Sequence, residues 1–228
     1  MATWAFMAAV ALGAVLVVAT PARPEPVALE LLLAVDASVS VTDREFDLQV
    51  GGLARALRSE TVARAIESTP GGIAVAVYQW GNVDEQRVVV DWIHVSGRRD
   101  ALALSARIAA MPRLFVGGAT VIRNALDFAI GLFDDNGFEG ERRVVDISAD
   151  GRNNRGLSPS EARDRAVGRG ITINGLAILS EEPFLDRYFD AEVVGGPGAF
   201  IEPASGYFDF VEAVERKLIR EITGGPSS

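Results

Sequence analysis

Oxygen-bearing side chains gather at three points of this 228-residue chain, each where an apolar run ends or a helical pattern begins. After "LLLAV" come Asp36, Ser38 and Ser40; "GGAT" ends in Thr120 at the start of a helix; "SADG" puts Asp150 directly after another apolar run. Two carboxylates and three hydroxyls, with no His, Cys or Lys among them, make a hard, all-oxygen donor set. Such a set suits a small divalent cation such as Mg2+, with Mn2+ or Ca2+ as alternatives, because Mg2+ takes near-octahedral oxygen coordination and keeps several waters. Each piece also has an ordinary structural reading. A Ser or Thr ahead of a helix is commonly an N-cap, and an Asp at a strand end is commonly a turn former. The metal reading therefore requires that the three segments project from one edge of one sheet.

The surrounding pattern supplies such a sheet. "ALELLLAVD" (28–36) is a continuous Leu and Val run of strand length, as expected of a strand covered on both faces. "GGIAVAVYQWG" and "QRVVVDWIHV", split by the polar turn "NVDE", predict a hairpin; "ERRVVDISAD", "ITINGLAIL" and the short edge segment "GAFIEPA" complete the strands. Between them, "VTDREFDLQVGGLARALRS", "GRRDALALSARIAAM", "VIRNALDFAIGLFDD", "PSEARDRAVGRG" and "YFDFVEAVERKLIREIT" have helical spacing, the first with a capping box from Thr42 and Glu45. Alternating buried-type strands and helices predict an α/β, Rossmann-like, doubly wound and mostly parallel sheet with one antiparallel edge strand and helices on both faces. In such sheets ligands bind beyond the carboxyl ends of the strands, which is where the oxygen donors fall.

Composition narrows the function. With 49% hydrophobic residues the chain is long enough for one good-sized core and short for two domains. A net charge of -9 argues against nucleic acid or an anionic membrane surface as the main partner. Of the 22 basic residues only Lys217 is lysine. Cysteine is absent, which excludes disulfides, thiolate metal sites and thiol nucleophiles. A single histidine, His94, excludes a zinc site built on two imidazoles and reads as an ordinary strand-edge residue. Trp80 and Trp92 read as core residues of neighbouring strands.

The first 22 residues carry an uncharged apolar run, Trp4 to Ala19, ahead of "PARPEP". They are expected to be a signal peptide, cleaved near Ala19 or Ala22, or else an N-terminal anchor; no Lys or Arg precedes the run, which departs from the usual signal pattern. Residues 23–27 are then a linker, 28–223 the domain and 224–228 a disordered tail. The expected location is outside the cytoplasm, periplasmic or secreted, with membrane attachment only if the leader is retained.

"DASVS", "GGAT" followed by "VIRNAL", and "SADG" resemble, in order and spacing, the three segments of the metal-ion-dependent adhesion site of the von Willebrand factor type A domain, a likeness that covers roughly Val27 to Thr223. An exported bacterial branch of unknown function is the expected relative. The resemblance implies that Ser38, Ser40 and Thr120 touch the ion through hydroxyls while Asp36 and Asp150 act mostly through water. An ion held by neutral hydroxyls keeps much of its field and attracts an outside anion. The implied partner is a protein offering an Asp or Glu carboxylate, and the implied function is binding without catalysis. Val39 stands where the family commonly has glycine.

Two other readings compete. A phosphohydrolase of haloacid-dehalogenase-like layout would use Asp36 as nucleophile, yet it needs a second aspartate where Ser38 stands and a lysine near the phosphate. A metal-free scaffold would keep the loops as architecture only. A phosphate loop at "GRNNRGLS" fails because Leu157 occupies the lysine position.

Overall fold

The computed structural model describes residues 23–225; the expected leader (1–22) and the last three residues of the expected tail lie outside the described residues. Six strands, β1 (Glu25–Asp36), β2 (Ile73–Trp80), β3 (Gln86–Val95), β4 (Phe138–Ala149), β5 (Ile171–Ile178) and β6 (Ile201–Ala204), form one sheet in the order β3-β2-β1-β4-β5-β6. All neighbours pair in parallel except β3, which runs antiparallel to β2 at one edge. The helices are α1 (Asp43–Leu57), α2 (Glu60–Glu67), α3 (Arg98–Ala109), α4 (Ile122–Leu132), α5 (Ser160–Gly168), the one-turn α6 (Leu185–Tyr188), which runs on into a π turn (Phe189–Val193), and α7 (Phe210–Thr223).

β1 alternates its side chains between two cores. Leu29, Leu31, Leu33 and Val35 face α1, α3 and α7; Leu32 and Ala34 face α4 and α5. A strand buried on both faces has no use for polar alternation, so the unbroken apolar run is the direct trace of its central position. β1 begins three residues earlier than its apolar run, inside the expected linker. Pro26 is tolerated there because pairing with β2 starts only at Leu29, so the missing N–H faces no partner strand.

Strand order reverses between β1 and β4, whose neighbours lead outward in opposite directions. The crevice beyond the carboxyl ends of these two strands is the switch point at which doubly wound sheets bind ligands. Asp36 is the last residue of β1, and Asp150 directly follows β4. Two elements go beyond the sequence expectation: α2, which follows α1 after a short break at Ser59, and the one-turn α6 segment. Among the described residues no helix is long and apolar enough to cross a membrane.

Candidate metal centre

The ordinary reading of the hydroxyls fails on geometry. Thr42 is the N-cap of α1, with the expected capping box to Glu45, so neither Ser38 nor Ser40 caps that helix. Val121 is the N-cap of α4 and makes no side-chain cap bond, so Thr120 does not cap its helix either. Freed from capping, the three hydroxyls meet each other. Ser38 Oγ lies 3.0 Å from Ser40 Oγ and 3.1 Å from Thr120 Oγ1, and the Ser40–Thr120 edge is 3.4 Å. An octahedral oxygen shell at about 2.1 Å has neighbouring oxygens about 3.0 Å apart, so this triangle has the dimensions of one face of such a shell.

Two carboxylates adjoin the triangle. Asp36 is fully buried; its Oδ1 accepts the Ser38 N–H at 2.7 Å, the turn-forming role expected of an Asp at a strand end, while Oδ2 is buried without a partner. Asp150 is also fully buried; its Oδ2 accepts the Tyr207 hydroxyl at 2.8 Å and Oδ1 is left without a partner. Burial, reinforced by the charge of Asp150, pushes the Asp36 carboxyl up to about 8. Two like charges held close in a desolvated crevice are unfavourable, and each leaves an orphaned oxygen, a cost of about 1–3 kcal/mol apiece for ordinary polar groups and more for charged ones.

Arg113 is the cation whose field reaches Asp36. Its donors are committed elsewhere. Nη2 binds the carbonyls of Ala37, Ser38 and Val41 at 3.2, 2.9 and 2.7 Å, Nη1 binds Asp43 and Nε binds the Phe115 carbonyl. Arg113 thus ties the loop after β1 to the segment that carries Thr120. Gln49 of α1 donates to the Asp36 carbonyl at 3.2 Å and accepts from Ser148. Asn154 clasps Thr120 through reciprocal bonds, Thr120 N–H to Asn154 Oδ1 and Asn154 N–H to the Thr120 carbonyl, both 3.0 Å.

All five residues singled out in the sequence therefore converge at one edge, and the structure adds four that escaped notice: Gln49, Arg113, Asn154 and Tyr207. Tyr207 escaped because its apolar context reads as the start of the last helix. α7 begins three residues later, at Phe210, which leaves the phenol free to turn toward Asp150. Val39 is 53% exposed and its backbone is unstrained, since Asp135 is the only non-glycine residue with positive φ among the described residues. Glycine is not required there. Trp80 is fully buried in the core, and Trp92 is partly buried, its indole N–H bonded to the Leu132 carbonyl. His94 sits on the edge strand beside Glu25. Among the described residues there is no cluster of three or more His, Cys, Asp or Glu that would form a conventional metal cage. The hydroxyl triangle beside two half-satisfied acids is the oxygen site the chain does offer, and its donors fit a hard divalent cation.

A family model described as "Protein of unknown function (DUF1194)" matches residues 26–226. A search of curated proteins returns no match. Among solved structures, proximal thread matrix protein 1 from the mussel byssus aligns at TM-score 0.63 and 15% identity over 89% of this chain and 50% of its own. That protein has also been solved with a zinc-occupied MIDAS motif. This chain spans about half the length of the mussel structures. The vWF domain of the type V pili tip protein Mfa5 from Porphyromonas gingivalis aligns at TM-score 0.63 and 11% identity over 89% of this chain and 98% of its own. Manganese-loaded TRAP protein from Plasmodium vivax aligns at TM-score 0.58 and 17% identity, covering 84% of this chain and 73% of that one.

Proposed function

From the premise that the chain belongs to the DUF1194 family and folds as a von Willebrand A domain, we propose that it is an exported, metal-dependent protein-binding module. Ser38, Ser40 and Thr120 are its direct metal ligands, and Asp36 and Asp150 are the acids behind them. The observation that carries this reading is the pair of buried carboxylates, each with one unpartnered oxygen, beside three converging neutral hydroxyls. The two acids supply the balancing charge, and the hydroxyls supply donors without further charge. Arg113 ties the loop that carries Ser38 and Ser40 to the segment leading to Thr120, and Asn154 ties Thr120 to the loop after Asp150, so the donor set is organised in advance.

When bound, a divalent cation at this position supplies positive charge that neutral hydroxyls do not quench, and so draws in an anionic oxygen. The proposed partner group is an Asp or Glu carboxylate of another protein. Mg2+ is the proposed ion because every donor is a hard oxygen; the zinc and manganese named for the mussel and Plasmodium proteins support a divalent ion in general. Export rests on the apolar leader and agrees with the byssus and pilus settings named for two fold neighbours. No observation favours the phosphohydrolase: Ser38 stands where that layout needs an acid, and Lys217 is fully buried in a separate ion cluster.

The reading is tested by immobilising the chain and passing an envelope extract over it in Mg2+ or EDTA. A partner is expected to bind in Mg2+, elute with EDTA, and fail to bind the Ser38→Ala and Asp150→Ala proteins. Equal retention with and without chelator would refute metal-dependent binding.

A further inference from the structure

Beside the metal edge, α1 and the segment entering α7 enclose a groove of about 360 Å3 whose walls include Leu48, Arg55, Arg58, Phe208 and Val211, with Gly51 on the α1 side. Three features of it lack an internal purpose. Phe208 is 83% exposed, although burying such a ring is worth about 1.5–3 kcal/mol. Gly51 lies mid-helix and exposed, where glycine costs about 1 kcal/mol relative to alanine. A Cβ there would meet nothing within 4 Å, whereas its neighbour Gly52 is required, because a Cβ would lie 2.7 Å from the Phe210 ring. Arg55 and Arg58 have no carboxylate within 4 Å among the described residues, on a chain whose net charge is -9. Asp47 is the one acid on the groove wall.

An apolar wall, a side-chain-free floor and two uncommitted guanidinium groups are complementary to one kind of ligand. We propose that this groove is a second docking surface, separate from the metal, for an acidic segment of a partner protein that inserts an aromatic or branched aliphatic side chain between Phe208 and α1 while its carboxylates meet Arg55 and Arg58. Gly51 lets that segment approach the helix backbone closely. The charge pairing at the rim sets orientation and encounter rate, and the buried apolar side chain supplies most of the affinity. Tyr207, whose hydroxyl bonds Asp150, also lines the groove, but none of the five proposed metal-site residues does and the recognition needs no cation, so binding survives chelation.

The test uses a panel of capped, fluorescently labelled heptapeptides in which Phe, Leu or Trp is flanked by Glu or Asp, with Lys-for-acid counterparts. Fluorescence anisotropy is followed in EDTA and again in Mg2+. The acidic peptides should bind equally in both, and the Lys counterparts at least about tenfold more weakly. Gly51→Leu fills the floor while improving helix propensity, so it should preserve or raise the melting temperature yet weaken binding about tenfold; Arg55→Glu with Arg58→Glu, and Phe208→Ser, should do the same to binding. The proposal is overturned if no acidic peptide binds at millimolar concentration, if the Lys series binds as well, or if Gly51→Leu leaves binding unchanged. It is equally overturned if vesicles of anionic lipid, and not the peptides, bind with this sensitivity to substitution. Loss of binding in EDTA would move the peptide to the metal edge and refute the groove while leaving the metal reading intact.

Discussion

One face of β4 carries two buried acidic clusters that solve the same electrostatic problem differently. Asp146 and Ser148 alternate along the strand and Asp150 directly follows it, with partners on the α1 and α7 side. At the inner end, Asp146 and Glu221 share the fully buried Lys217, whose Nζ lies 2.5 Å from Asp146 and 2.9 Å from Glu221, with Asn174 donating to Glu221 at 2.9 Å. At the outer end, Asp150 and Asp36 share no side-chain cation and keep an orphaned oxygen each. The inner cluster is neutralised by Lys217, although Glu221 Oε2 also lacks a hydrogen-bond partner, and it seats α7 on the sheet. The outer one has no side-chain cation in contact with it among the described residues, and it lies where the strand order reverses. What separates the two pairs is the counter-ion: the chain supplies Lys217 to the inner pair and no contacting side-chain cation to the outer one, and the proposed metal site rests on that difference.

Removing the internal cation should give the largest effect. Lys217→Met leaves Asp146 and Glu221 buried and unpaired, and should lower the unfolding free energy by about 3–5 kcal/mol in urea titrations, with or without Mg2+. A loss below about 1 kcal/mol would mean that Lys217 does not supply the neutralising charge of the inner cluster.

The two clusters should also separate in their pH dependence. Burial and, behind it, the charges of Asp150 and Asp146 push Asp36 and Glu221 each up to about 8, from ordinary values near 3.8 and 4.5. A carboxyl raised on folding stabilises while protonated, so the metal-free protein should lose stability as pH rises from about 4 to about 8. Asp36→Asn keeps the acceptor for Ser38 N–H and removes one charge, so it should flatten the outer contribution to that slope and leave the Glu221 contribution. Denaturant melts at several pH values read both; an unchanged slope in Asp36→Asn would contradict the repulsion assigned to the outer pair. The smallest expected effect is that of Tyr207→Phe, which strips Asp150 of its one hydrogen bond and should cost about 1 kcal/mol in thermal unfolding without changing the response to metal.

Much of the outer site was legible because its residues interrupt apolar runs. Asp36, Ser38 and Ser40 end the most hydrophobic stretch of the domain, and Asp150 ends another, so their oxygens stand out against the pattern. The capping box at Thr42 also read correctly, because Glu45 sits at the required spacing. The supporting residues were hidden for a physical reason: Arg113 and Asn154 act on backbone groups distant in sequence, and no local period marks such a contact. Lys217 was invisible as a core residue because nothing in "VERKLIRE" distinguishes a buried lysine from a solvated one; only its Asp146 and Glu221 partners do. α2 is masked by its nearness to α1, from which only a short break at Ser59 separates it, and the Ser59 hydroxyl caps it.

The central claim, that the outer acid pair awaits a divalent cation, is tested most directly by titrating Mg2+ into the purified protein while following its unfolding. A specific site should raise the unfolding free energy by about 2.7 kcal/mol at one hundred times the dissociation constant, and the increment should vanish in Asp150→Ala. An unmoved transition at millimolar Mg2+, Mn2+ and Ca2+, or an equal increment in Asp150→Ala, would contradict it.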